Sequence, residues 1–311
     1  MASYRLLTYA AGRNDARAGL LLDGNRIVDL EAALRAHGRA TGKAPGFSGA
    51  TTAEVITSWS KARPVLNAIA RDGVFRLRSR PLSRTRLLPP LPDVRLIYCA
   101  GANYYDHAAE AGVTVEKAKV RPFFFVKAVG AQPIGPDAPI LLPAWSQLVD
   151  WEAEIAVVMG RSARNVAEKD ALKYVAGYMI LNDLSARDHS QRDDWPFKWD
   201  WFPHKSFDTS APMGPWITPA SEIPDPHKLA LNTWINDSHE QDTSSSQMIF
   251  TVEEQIAALS RQLTLRPGDI ISTGTGAGVG VFQGKKLKPG DQVRVEIEGL
   301  GTLSNPVKAG T

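Results

Sequence analysis

Cysteine is nearly absent from this chain: Cys99 is the one residue of its kind among 311. That excludes an intramolecular disulfide and a zinc site built on cysteines. Cys99 follows an apolar run in LIYCAGANYY, where a thiol is expected to act as a small buried apolar group. Long hydrophobic runs are missing too, with nothing near the roughly eighteen residues that span a bilayer. The opening MASYRLLTYAAGRND has no apolar signal core, so the expectation is a cytoplasmic protein without a membrane partner. Excess charge of one sign is small: 36 basic against 33 acidic side chains, net +3, which argues against a nucleic-acid partner. The local exception is the run Arg71, Arg76, Arg78, Arg80, Arg84 and Arg86, with Pro81, Pro89, Pro90 and Pro92 close by. It reads as a solvated edge strand leading into a linker.

What is present is the composition of a globular protein, 43% hydrophobic and 22% charged. Residues 4–10 and 19–30 read as short strands with Asp23-Gly24-Asn25 as a turn. A helix is predicted from about Leu30 to Gly38, a loop over 39–50, and a second helix from Thr51 to about Ile69. The prolines of LLPPLPDV (87–94) cannot enter a helix interior or a central strand, so a boundary is placed there. Residues 1–90 then form a small α/β N-terminal domain and 91–311 the unit carrying the chemistry. That unit reads as α+β and β-rich. It has a buried strand in RPFFFVK, a helix over Ala163 to Gly177, a hairpin at Asn236-Asp237 and a helix from Thr251 to Leu263 with Glu254 completing a capping box. Two Pro-Gly-Asp turns, at 267–269 and 289–291, each launch a strand.

In Val149 to Val158, VDWEAEIAVV, the acids Asp150, Glu152 and Glu154 alternate with Trp151, Ala153 and Ile155. A period of two predicts a strand with the carboxylates on one face. About thirty residues on, the apolar run at 178–181 reads as a strand ending at Asn182-Asp183. Two readings are open. The acids line a solvated strand face, or Glu152, Glu154 and Asp183 converge on a hard divalent cation that relieves their repulsion. His107 and Glu110 share a face if HAAEAG is helical: a surface pair, or an imidazole oriented as a general base. The segment DDWPFKWDWFPHKSFD (193–208) holds Trp195, two further tryptophans and Lys205, and its prolines argue for a loop that serves as interface or pocket wall. Gly274 to Gly280 is neither a P-loop nor a dinucleotide fingerprint; it is a flexible turn, or a place where backbone N–H groups approach an anion, a carboxylate as well as a phosphate.

The order of these pieces resembles the fumarylacetoacetate hydrolase family: NYYDH with His-x-x-Glu, Glu-x-Glu, Asn-Asp-x-Ser-Ala-Arg-Asp, Lys-Ser-Phe-Asp, Met-Gly-Pro-Trp and Pro-Gly-Asp-Ile-Ile-Ser-Thr-Gly-Thr, over about residues 95–306. The resemblance implies a mixed β-sandwich roll in a homodimer. It implies Mg²⁺ or Mn²⁺, with Ca²⁺ also open, held by Glu152, Glu154 and Asp183. His107, Glu110, Lys205 and Arg187 match the catalytic groups, with His107 and Glu110 on a lid. Lys127, Thr275, Gly274, Gln191 and Trp195 are the expected substrate-binding residues. Asp150 is read as a supporting group outside the ligands.

The sequence departs from the family pattern at three places. Ser190 stands where a glutamine is common, with Gln191 one place later; Gly276 replaces the usual proline after Gly-Thr; and the tryptophan-rich insert before Lys205 looks longer than usual. All three lie near where the resemblance places the substrate, so they bear on substrate identity and not on the metal. The expected reaction is hydrolysis of a C–C bond in an acylpyruvate-type 1,3-diketo acid, in breakdown of aromatic compounds. The alternative is decarboxylation or enol–keto isomerisation of an oxaloacetate-like 2-oxo acid on the same site. A third reading, from another class, is a non-catalytic binding protein that keeps the fold.

Overall fold

The computed structural model of the protein describes residues 3–13, 15–72, 77–130 and 133–310. Asp23 and Gly24 take φ of 52° and 71°, and the strands Asp15–Leu22 and Arg26–Asp29 pair across that turn. Strand Tyr4–Gly12 pairs with Asp15–Leu22 on one side and meets Ala211–Pro219 on the other, Leu6 opposite Ile217. The N-terminal strands thereby join one 12-stranded mixed sheet. At one end of the sheet lies Ser79–Pro81, exposed and paired to Arg26–Val28. It is an edge strand as expected but holds only Arg80 of the arginine-rich run, since Arg71 lies in the last turn of a helix and Arg84 in a three-ten turn. Charge and proline protect such an edge from further pairing. Arg76 of that run lies outside the described residues.

Helix Leu30–Thr41 starts on Asp29, whose Oδ1 accepts the Ala32 N–H at 2.9 Å. The single helix expected from Thr51 is two, Thr52–Thr57 and Trp59–Asp72, broken at Ser58, whose N–H closes the first onto Glu54. A second sheet has five strands in the order Ser238–Ser244, Ala230–Ile235, Gln292–Ile297, Gly301–Ala309 and Ile140–Leu142. The fold is therefore the β-rich α+β roll expected.

Strand Ala153–Met159 shows why the sheet's centre reads as apolar throughout. Ile155, Val157 and Met159 belong to the core shared with the second sheet, through Leu231, Val293 and Leu303. Ala156 and Val158 belong to another core, with Trp59, Leu66 and Leu34 of the N-terminal helices. A strand covered on both faces has no wet side to carry polar residues. Cys99 lies in the second of these cores, and burial raises its thiol pKa.

Three sequence expectations are corrected. Ala163 to Gly177 is not a helix: three-ten turns cover Glu168–Tyr174, and at Val175 the chain enters the central strand Val175–Asn182, where pairing on both sides outweighs local propensity. The strand Phe124–Lys127 pairs only with Ile97–Ala100 and is half-open, with Val126 exposed and Lys127 buried. The loop before Lys205 closes with a short helix, Trp201–Lys205, that admits Pro203 because first-turn N–H groups need no helical partner.

Candidate active site

The acidic stretch is not one strand. Val149–Asp150 pairs with Ser185–Ala186, the chain steps across Trp151 and Glu152, and the strand resumes at Ala153. Asn182 secures the step: its Oδ1 accepts the Glu152 N–H at 2.9 Å, and the Asp183 N–H donates to Glu152 O at 2.9 Å. Glu154 pairs with Leu181 on one neighbouring strand and with Thr275 on the other. The site thus sits where one central strand begins and its two neighbours end. Asp150, Glu152, Glu154 and Asp183 are all buried, so the solvated-face reading is overturned. One oxygen from each of Glu152, Glu154 and Asp183 lies within 4.8 Å of the others.

Three cations offset this charge. Lys205 Nζ donates to Glu152 Oε2 at 2.7 Å and Asp183 Oδ2 at 2.9 Å. Lys127 Nζ donates to Asp183 Oδ1 at 2.6 Å and to two backbone carbonyls, Leu184 and Lys205. Arg187 bonds Asp150 through Nε and Glu152 through Nη2. Burial opposes ionisation of Glu152, but the Lys205 and Arg187 charges outweigh it and hold that carboxyl well below its usual range. Glu154 has no such partner. Burial, then the Asp183 and Glu152 carboxylates, push it well above the usual range, and its Oε2 accepts from Ser272 Oγ and the Gly274 N–H. Three buried carboxylates, one of them short of positive charge, fit a hard divalent ion held by oxygen.

His107 and Glu110 lie on the helix Tyr105–Glu110, as expected, with Nδ1 and Oε2 3.4 Å apart. Phe282 packs edge-on to the imidazole, centroids 5.8 Å apart. Glu110 Oε1 accepts the Gly278 N–H at 2.9 Å, which ties the helix to the glycine-rich loop. Gly274 has a φ of 91°, and a Cβ there would lie 2.9 Å from that of Asn103. Thr275 is buried, its hydroxyl donating to Ala153 O at 3.0 Å and accepting from Gln241 Nε2 at 2.9 Å. Gln241 and Asn182 are residues that sequence reasoning missed. Gln241 is fully buried, and its Oε1 accepts from Ala153 N–H and Thr233 Oγ1. Lys127 is fully buried as well, whereas Gln191 and Trp195 are exposed on the aromatic segment. Gln191 bridges Trp199 through the backbone.

Residues 96–308 match the family model described as fumarylacetoacetate (FAA) hydrolase C-terminal. The chain belongs to the fumarylacetoacetate hydrolase family. It is 42% identical to the mitochondrial oxaloacetate tautomerase of Xenopus laevis over 227 residues, 72% of this chain and 69% of that protein. It is 39% identical to a mitochondrial oxaloacetate tautomerase of Bos taurus over 287 residues, 92% and 85% of the two chains. Among solved structures it is similar to maleylpyruvate hydrolase from Sphingobium sp. SYK-6 in complex with manganese(II) and pyruvate, with a TM-score of 0.73, 28% identity and coverage of 99% and 100%. Members of the fumarylacetoacetate hydrolase family are enzymes, and these relatives are named for small keto-acid substrates.

In this family member His204 sits beside Lys205, buried, with Nδ1–H donating to Ala186 O at 3.0 Å. Burial, then the Lys205 charge, depress its pKa from 6.5 to about 4. The folded protein keeps the ring neutral where the unfolded chain binds a proton, so His204's contribution is present above pH 6.5 and lost as pH falls towards 4. The loss amounts to about 3 kcal/mol. Denaturant unfolding at stepped pH should show His204→Gln losing less stability over this window than the parent. Equal losses would remove His204 as the cause.

Among the described residues no helix is long and apolar enough to cross a membrane.

Proposed function

We propose that this protein catalyses enol–keto tautomerisation of an oxaloacetate-like 2-oxo acid at a divalent-ion site. The observation that carries this reading is the 39–42% identity to proteins named oxaloacetate tautomerase. It reverses the order of the two reactions expected from the sequence. Tautomerisation removes the proton of the enol O–H on C2 and delivers a proton to C3, as C2–O becomes the carbonyl, and needs no oxidant or leaving group. Glu152, Glu154 and Asp183 would hold Mg²⁺ or Mn²⁺, Ca²⁺ being the third candidate, and the ion would supply Lewis-acid polarisation of the 2-oxo group. Arg187, a planar fork with Nη1 free of protein partners among the described residues, suits the substrate's carboxylate. Lys205 supplies positive charge beside the developing oxyanion. His107, with Nδ1 3.4 Å from Glu110 Oε2, would donate Nδ1–H there and leave the Nε2 lone pair free to carry the proton.

Hydrolysis of an acylpyruvate is the second reading, supported by likeness to the maleylpyruvate hydrolase along the whole chain. A homodimer belongs to the proposal and is supported by an exposed aromatic surface that includes Phe197 (79%) and Phe202 (69%). The cytoplasmic location and the division at residue 90 stay parts of the proposal.

The test uses chelator-stripped protein with Mg²⁺ or Mn²⁺ added back. Faster decay of the oxaloacetate enol band, with solvent deuterium entering C3 and no CO₂ released, is the expected result. CO₂ release would make it a decarboxylase. Pyruvate and a free acid from acylpyruvates, with the enol decay unaccelerated, would restore the hydrolase.

A further inference from the structure

The glycine-rich loop does bind anions, and they are the protein's own carboxylates. Gly274 N–H donates to Glu154, Gly278 N–H to Glu110, and the Gly280 and Val281 N–H groups to Asp150 at 2.7 and 3.0 Å. Three carboxylates from three segments are seated on one loop. Of these, Asp150 alone belongs neither to the metal set nor to the His107–Glu110 pair. It is fully buried and accepts two more hydrogen bonds, from Trp151 N–H at 2.8 Å and Arg187 Nε at 3.0 Å. Its Oδ2 is shared between Arg187 Nε–H and Val281 N–H, so one atom fixes both the guanidinium and the loop. The next loop residue, Phe282, is the one packed against His107.

We propose that Asp150 is a positioning residue. It sets Arg187 for the substrate's carboxylate and joins that arginine to the loop on which Glu110 and His107 rest. The inference rests on Arg187 being the carboxylate-binding group of the proposed function.

Only a carboxylate can meet this demand at position 150. Four N–H donors converge on it, and an asparagine in the same place would turn its own N–H₂ towards two of them, Arg187 Nε and Val281 N. Gly280 enforces the contact from the other side: a Cβ there would lie 2.8 Å from Asp150 Oδ1 and 2.7 Å from Lys285 O. Asp150→Asn and Gly280→Ala therefore disturb one contact by two routes. A positioning error of this kind is felt where the substrate binds, because a displaced guanidinium loses its paired hydrogen-bond geometry towards the substrate's carboxylate.

Both variants are compared with the parent, loaded with Mn²⁺, for KM, kcat, Mn²⁺ affinity, melting and backbone hydrogen exchange. KM for the 2-oxo acid should rise by about tenfold or more in each, and by more than any loss of Mn²⁺ affinity, which Asp150 reaches only through Arg187 and Glu152. In an Arg187→Lys background Asp150→Asn should add little, since both act through one group. Exchange at Gly280 and Val281, read without any substrate, should accelerate in Asp150→Asn. Unchanged exchange there overturns the proposal whatever the reaction is. So does an unchanged KM, an additive double variant, Mn²⁺ affinity falling in step with KM, or the loss of a native melting transition in both variants. If the parent acts on acylpyruvates and leaves oxaloacetate untouched, the functional reading fails by itself, and the same KM comparison is made on the acylpyruvate.

Discussion

Glu154→Ala is expected to abolish divalent-ion binding and to remove turnover, while Glu154→Gln in the metal-free protein melts no lower than the parent. The two outcomes have one cause. Glu152 and Asp183 each have an ammonium within 3 Å, but Glu154 is answered only by Ser272 Oγ and the Gly274 N–H. Burial and its two acidic neighbours already push this carboxyl towards its neutral form. A neutral amide there satisfies the same space without adding charge, so the fold loses nothing. The ion loses a ligand that no neighbour can replace. Several kcal/mol of Lewis-acid stabilisation corresponds to about a thousandfold or more in rate. Calorimetric titration with Mn²⁺ beside steady-state assays checks both halves. Full turnover by the parent in excess chelator, or by Glu154→Ala, would sink the metal assignment.

The acidic triad Glu152, Glu154 and Asp183 was legible because its members announce themselves in local patterns: Glu-x-Glu, and Asn-Asp at the end of an apolar run. Their convergence depends on the pairing of the two strands, Ala153 opposite Asn182, which the local patterns leave open. The environment was not legible. Alternation suggested a wet strand face, yet the chain breaks at Trp151 and Glu152 and buries every acid. Gln241 gave no signal at all. In SHEQDTS it reads as one more polar residue of an exposed hairpin strand, and only the register of the second sheet against the first places it under Thr275. The glycine-rich loop reads from sequence as either a flexible turn or an amide surface for an anionic ligand, and its N–H groups in fact meet the protein's own carboxylates. Those carboxylates lie more than a hundred residues earlier in the chain, a distance no local pattern spans. The false helix at 163–177 failed for the opposite reason: local spacing was helical, and the central sheet claimed Val175–Asn182.

Lys127→Met should cost about 3–5 kcal/mol of stability, the cost of breaking a buried ion pair from one side. Lys127 is among the largest fully buried side chains, and each hydrogen of its ammonium has a protein acceptor: Asp183 Oδ1, Leu184 O and Lys205 O. A methionine fills much of the volume but strands an Asp183 oxygen and the Leu184 carbonyl in the interior, and leaves the Lys205 carbonyl only the Ser210 hydroxyl at 3.4 Å. The carbonyl of Lys205 is tied to this ammonium while its side chain reaches the metal set, so the same substitution loosens the second cation of the site. An added divalent ion would neutralise Asp183 and recover part of the loss, about 2.7 kcal/mol at a hundredfold excess over Kd. Thermal melts with and without Mn²⁺ separate this role from the substrate-binding one first expected of Lys127. A variant that melts like the parent and differs only in KM would return the lysine to the substrate. A variant that melts low and is rescued by Mn²⁺ places it beneath the site, holding Asp183 towards the ion.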